Sequence, residues 1–321
     1  MGRAFYLSAV AATALMTGAM GTIGACTNLD GLATNGTTID TEGGTKPKEA
    51  GGGDSTLPDS GVKQRCDPTV AFGSPTLVTA FDPTADYVKG AILAPGELEV
   101  FYLKYNTPVS NWELRHARRS AVDAEWGTVV TIDLPTTPDG FLSLTASGLK
   151  LYYWTADTNF RTTRPSVTVD TFAAPTRYDV ASGPRAHFVD ADDVAYFAKP
   201  EGDGAFETFL KRAPVTTNGF SSKPTTVPKV HMAGSSDDNP VLNRAETALY
   251  FSSNRPGGFS TVVSDIWVAR RPDKQADFGA PVHVPELSTA NPDQVTWVSD
   301  DECVVFLDRA SHVYTARRPA L

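Results

Sequence analysis

VTWVSDDECVVF, residues 295–306, reads as an apolar strand, a short polar turn and a second strand ending in a large ring. The same pattern occurs four more times, as AILAPGELEVFY (91–102), LSLTASGLKLYY (142–153), AHFVDADDVAYF (186–197) and PVLNRAETALYF (240–251). Anchored on the last ring, the copies end at Tyr102, Tyr153, Phe197, Phe251 and Phe306, spaced 51, 44, 54 and 55 residues apart. Short strands recurring at that period are the mark of propeller blades with somewhat long loops.

Each copy is followed by two further strands. The third is clearest in SDIWVARRP (264–272) and SHVYTARRP (311–319), with WELRHARRS (112–120) and ETFLKRAP (207–214) as weaker matches. The fourth opens on a ring: WGTVVTIDL (126–134), FAAPTRYDV (172–180), a looser form at 220–230, and FGAPVHVPEL (278–287). The last repeat stops after its third strand, while FGSPTLV (72–78) matches FGAPVHV (278–284). A ring of sheets must avoid unpaired edges at its two chain ends. The expectation is therefore an all-β, five-bladed propeller over residues 66–321, closed by a strand from residues 72–78 in the last blade. Cys66 and Cys303 fall in that composite blade. Either they pair across the closure, or Cys303 is a small buried core residue, and the spacing leaves both open.

Ahead of the ring, Arg3 leads a short small-apolar run that ends in Ile23-Gly24-Ala25-Cys26. This resembles the lipobox of bacterial lipoproteins: residues 1–25 are a signal peptide and Cys26 takes the lipid. Residues 26–65 are the lipidated cysteine and a linker. The stretch after Cys26 lacks rings and apolar periodicity, so it is expected to be a flexible tether spanning on the order of 35 Å. Thr27 follows the cysteine where an Asp would favour inner-membrane retention, so the resemblance implies an outer-membrane lipoprotein of the cell envelope, facing periplasm or cell surface. Its expected partners are the membrane, through the lipid, and an unidentified protein or small-molecule ligand.

The fourth repeat carries Tyr250-Phe251-Ser252-Ser253-Asn254-Arg255-Pro256-Gly257-Gly258 and then Asp265-Ile266-Trp267-Val268. This resembles the TolB-like, WD40-like propeller repeat, whose polar residues tie a hairpin and whose glycines permit positive φ. The usual Ser-Pro-Asp-Gly turn between first and second strands is replaced here by Ala94-Pro95-Gly96-Glu97 or Ser299-Asp300-Asp301-Glu302. The resemblance implies fold, export and binding, and no catalytic residue.

A net charge of -9 argues against nucleic acid, which requires a basic face. There is no nucleophile elbow, HExxH, phosphate loop or EF-hand. The histidines at 116, 187, 231, 283 and 312 have no metal-ligand spacing and are expected at surface or strand positions, so no metal and no cofactor are expected. Asp237-Asp238-Asn239 and Asp300-Asp301-Glu302 read as solvated turns, and the paired arginines at strand ends as solubility or hairpin devices. A site is expected at the channel mouth where the inner strands start. Counting back from the anchors places Lys89, Asp139, Arg185, Asp238 with Asn239, and Asp293 with Gln294 there. The leading expectation is a non-catalytic binding or scaffold module for a protein or small polar ligand. The alternative is a glycoside hydrolase-like enzyme with carboxylates in the axial channel, for which Asp139, Asp238 and Asp293 are the candidates by alignment, and which fails unless two carboxyls converge in the axial pocket.

Overall fold

The computed structural model describes residues 64–321 apart from 82–86, 139, 156–157, 179–185, 190–193, 201–206, 217–218 and 220–222. The expected signal peptide, Cys26 and the linker as far as residue 63 lie outside the described residues, as do Asp139 and Arg185. Strand β1 (Thr76–Leu77) comes first. Four antiparallel sheets follow, each made of consecutive strands. The first holds β2 (Val88–Leu93), β3 (Glu99–Asn106), β4 (Asn111–Arg118) and β5 (Val130–Ile132). The second holds β6 (Leu142–Leu144), β7 (Lys150–Thr155), β8 (Thr158–Thr163) and β9 (Thr176–Tyr178). The third holds β10 (Ala186–Val189), β11 (Val194–Pro200), β12 (Thr208–Pro214) and β13 (Thr225–Thr226). The fourth holds β14 (Asp237–Leu242), β15 (Ala248–Ser253), β16 (Asp265–Arg270) and β17 (Val282–His283).

The fifth sheet has β18 (Asp293–Val298), β19 (Val304–Arg309) and β20 (His312–Arg317), with β1 as its outer strand. Thr76 and Leu77 lie opposite Thr315 and Tyr314. The first strand of each sheet touches the first strand of the next, from β2 through β6, β10, β14 and β18 and back to β2. That circuit makes a five-bladed propeller with its axis among these inner strands.

The paired large residues of each repeat explain the ring. Successive strand side chains point to opposite faces, so a pair on the second strand serves both neighbouring blades. Phe101 packs with Tyr153 of the next blade, Tyr152 with Phe197, and Tyr196 with Phe251. Tyr250 packs with Leu307, and Phe306 with Tyr102 across the closing seam. The fifth anchor is thus Leu307, and Phe306 is the counterpart of Phe101, Tyr152, Tyr196 and Tyr250. Counting from aromatic to aromatic slipped by one residue there, which moves a side chain to the other face of its sheet.

The turn between first and second strands is built the same way in four blades. Its last residue is left-handed, at Glu97 (φ 61°), Gly148 (72°), Glu246 (56°) and Glu302 (56°). An arginine just after the third strand caps the carbonyl of that residue through Nε: Arg119 to Glu97 O at 2.7 Å, Arg164 to Gly148 O at 2.8 Å, Arg271 to Glu246 O at 2.6 Å and Arg318 to Glu302 O at 2.9 Å. The repeated ARRP pattern is therefore a hairpin lock. Cys66 and Cys303 form a disulfide with 5.6 Å between Cα atoms, and Cys66 also bridges Ala320. Contacts with the ring begin earlier than the expected domain start at 66, because Gln64 and Arg65 are already hydrogen-bonded to it.

Candidate active site

The four equivalent turns that follow β2, β6, β14 and β18 meet around one cavity of about 290 Å³ on the axis. Their second positions, Pro95, Ala146, Arg244 and Asp300, all line it. Glu97 and Arg65 add charge to the wall, Asn243 and Thr296 are among its further polar groups, and Leu242, Trp297 and Val298 supply much of the apolar part. Among the described residues, the acids on this wall are Glu97 and Asp300, from adjacent blades.

Their surroundings differ. Burial pushes the Asp300 carboxyl above the ordinary aspartate range, helped by Glu97 and Asp301 and opposed by Arg244. Arg244 reaches Asp300 at 3.7 Å. Glu97 is gripped by Arg65, whose Nη1 and Nη2 donate to its two oxygens at 3.0 and 2.5 Å. The same guanidinium donates to Asp301 from Nε at 2.6 Å and Nη2 at 3.0 Å. Burial alone would raise Asp301, but Arg65, the Ser299 hydroxyl and the Cys303 N–H hold it at about 2.

The residues expected at the opposite mouth are more committed. Asp293 has no exposure and accepts from Arg309 Nε at 2.5 Å and from Thr289 N and Oγ1 at 2.6 and 2.9 Å. Asp237 is its counterpart in the fourth blade, bound by Arg255 at 2.5 Å and His231 at 3.0 Å. Lys89 lies over the Trp112 ring at 3.9 Å. Asp238 accepts the N–H of Asn239, itself buried with φ 52°, and Gln294 sits opposite Asp308. Lys89, Asp238, Asn239, Asp293 and Gln294 thus begin three inner strands, β2, β14 and β18, at the end of the ring opposite the cavity described above.

Both acidic triplets read as solvated turns are largely buried, with Asp237 at 0%, Asp301 at 4% and Glu302 at 7% exposure. Each of these carboxylates answers an arginine, Glu302 pairing with Arg270 at 2.6 Å while accepting from the Tyr250 hydroxyl at 2.9 Å. The stretch at 250–258 also works inside the fold: Arg255 is held by Asp237 and packs against Phe251 and Trp267. Gly258 is required because a Cβ there would lie 2.0 Å from the Asp265 carboxylate.

Among the described residues one trio has metal-ligand chemistry: Glu99, His116 and Asp170 bring ligand atoms within 4.8 Å of one another. His116 stands on strand β4, one of the two placements expected for the histidines, and is buried with Nε2 2.7 Å from Glu99. Arg164 already grips Glu99 at 2.6 Å and Arg118 grips Asp170 at 2.7 Å. Burial would raise Glu99, but Arg164 and His116 hold it at about 2. Arginines already pair with both carboxylates, so the trio reads as an ion-pair network.

No family model matches the sequence, and no curated protein matches it. Solved structures do. The catalytic domain of a GH62 α-L-arabinofuranosidase from Coprinopsis cinerea is 9% identical with a TM-score of 0.47, covering 78% of this chain and 97% of its own. A gluconolactonase from Xanthomonas campestris is 12% identical with a TM-score of 0.44, covering 79% and 94%. A GH43 protein from Bacillus licheniformis is 12% identical with a TM-score of 0.41, covering 76% and 50%. At such identities the likeness is one of fold.

The expectation of a non-catalytic binding or scaffold module is corrected. The observation against it is the axial cavity itself, whose wall carries two carboxyls, Glu97 and Asp300, which is what the enzyme alternative required.

Proposed function

We propose that the chain is a glycoside hydrolase-like enzyme working in the axial cavity at the turn end of the propeller. Asp300 is the proton donor and Glu97 the second carboxylate. The observation that carries this is the pairing of two cavity carboxyls in contrasting settings. Glycoside cleavage needs an acid that keeps its proton near neutral pH and a partner carboxylate beside it. Burial moves Asp300 in that direction, and Glu97 stands on the neighbouring turn. Asp300 delivers its proton to the glycosidic oxygen as the C–O bond breaks. Glu97 serves the anomeric carbon, taking a proton from the attacking water or attacking directly according to the separation the bound sugar imposes. The apolar wall around Leu242, Trp297 and Val298 offers contact to the faces of a sugar ring and displaces water.

The same proposal keeps the chain in the cell envelope, as an outer-membrane lipoprotein with acylated Cys26 and its ligand a small saccharide. The Ile23–Cys26 lipobox supports this placement. TolB-like kinship of the blades rests on residues 250–258 and 265–268.

The test is release of nitrophenol from a panel of p-nitrophenyl glycosides by the full chain, Asp300→Asn and Glu97→Gln. Each substitution is expected to lower kcat by roughly 10²–10⁴-fold with an unchanged melting temperature. Turnover that both variants retain, or a wild-type chain inert on the whole panel, would count against the reading.

A further inference from the structure

The segment that joins the chain to the ring also reaches the axial cavity. Cys66 is bonded to Cys303, the residue directly after the turn that carries Asp300 and Asp301. Arg65, one residue earlier, lies across two turns and holds Asp301 of the fifth blade and Glu97 of the first. Its backbone is fixed as well. Leu321 N donates to Arg65 O at 3.1 Å, and Gln64 Nε2 donates to Cys66 O at 2.7 Å and Asp301 O at 2.9 Å. Without this guanidinium, the cations left beside Glu97, Asp300 and the adjoining Asp301 would be Arg244, 3.7 Å from Asp300, and Arg119, whose Nε binds the Glu97 carbonyl.

We propose that Arg65 is a positioning residue for the axial carboxyls, and that the Cys66–Cys303 disulfide holds it in place, so that breaking the bond impairs the cavity while the ring stays folded. The inference rests on the cavity being a hydrolytic site. An arginine gripping both oxygens of a carboxylate sets its orientation as well as its charge. A lysine is a single point charge and cannot bridge two carboxylates in the same way. Loss of the cation leaves neighbouring carboxyls to repel one another, which makes each harder to ionise. Reduction by dithiothreitol breaks the S–S bond, gives two thiols at Cys66 and Cys303, and converts the reagent to its cyclic disulfide.

The experiment compares the full chain, Arg65→Gln, Arg65→Lys, the Cys66→Ser/Cys303→Ser pair and the reduced wild type. Readouts are kcat and KM on the best p-nitrophenyl glycoside across pH, with circular dichroism at assay temperature. For Arg65→Gln the acidic limb of the kcat profile is expected to move up by about one pH unit or more, with kcat falling more than KM changes. Arg65→Lys should recover part of the shift. The reduced protein and the cysteine pair should follow Arg65→Gln while keeping their folded spectrum. An unchanged profile in Arg65→Gln, or in folded reduced protein, overturns the proposal. If reduction unfolds the chain, the claim for the disulfide falls and Arg65→Gln alone decides the claim for Arg65. If the wild type cleaves no glycoside, the hydrolase reading fails separately, and carbon-13 NMR of the Asp301 carboxyl decides. Its titration, well below the ordinary range when oxidised, should rise on reduction and in Arg65→Gln, and a titration that stays put overturns the positioning role.

Discussion

Asp308 makes the ring's stability depend on pH in the direction opposite to most carboxylates. It stands at the seam between the fifth and first blades, where the N–H of Gly90 donates to both its oxygens at 3.0 and 2.9 Å. Burial pushes it from 3.8 up to about 7, against the pull of that N–H and of Lys89. The folded chain therefore holds a proton that the unfolded chain releases between those two values. Stability from this group is fully present below pH ~4 and is lost as pH rises toward ~7. About three pH units at 1.36 kcal/mol each set a ceiling of ~4 kcal/mol, and partial contact with solvent brings the expectation to ~2 kcal/mol. Asp308→Asn keeps the shape and an acceptor for Gly90 but carries no charge. Its melting temperature relative to wild type should be nearly level at pH 4.5 and higher by about 4–8 °C at pH 8. The carboxylates held near 2, Glu99 and Asp301, titrate below this window and do not interfere. Thermal melts followed by circular dichroism at four pH values measure the difference. A gap that does not widen between pH 4.5 and pH 8 would refute the reasoning.

Four further outcomes follow from the packing. Replacing both Cys66 and Cys303 by Ser removes a cross-link over 237 residues, which in the chain-entropy model costs about 5 kcal/mol and should lower the melting temperature by about 10 °C or more. Phe251→Ala empties a fully buried position between the third and fourth blades, and denaturant unfolding should show a loss of roughly 3–5 kcal/mol. Arg271→Met removes the buried guanidinium that binds the Glu246 carbonyl and carboxylate, and the same measurement should give a loss of about 1.5–3 kcal/mol. Arg119→Met, whose turn is less enclosed, should cost about 1 kcal/mol.

The ring was readable because each blade repeats one physical requirement: two adjacent large side chains on the second strand, one for each neighbouring blade. That requirement persists where the residues drift, as at Phe306 and Leu307, but a count anchored on aromatic type cannot detect a one-residue slip. The cavity was harder to find because the expected site was placed by counting back to strand starts. Its charged side chains sit instead on the turns, at Glu97, Arg244 and Asp300. Those turns had been aligned as Ala94–Glu97 and Ser299–Glu302, and the convergence of their second positions was the available signal. Burial of Asp237, Asp301 and Glu302 left no trace in local sequence, because their arginine partners lie 16 to 236 residues away in the chain. Arg65 carried no signal at all, standing at the end of a segment whose composition reads as tether.

The most direct test of the central claim is a crystal structure of the Asp300→Asn chain with a bound oligosaccharide chosen from the glycoside panel. The account predicts a sugar ring in the axial cavity between Asn at 300 and Glu97, with Arg65 in place beside Glu97. Sugar bound instead at the opposite mouth, beside Lys89, Asp238 and Gln294, would contradict it.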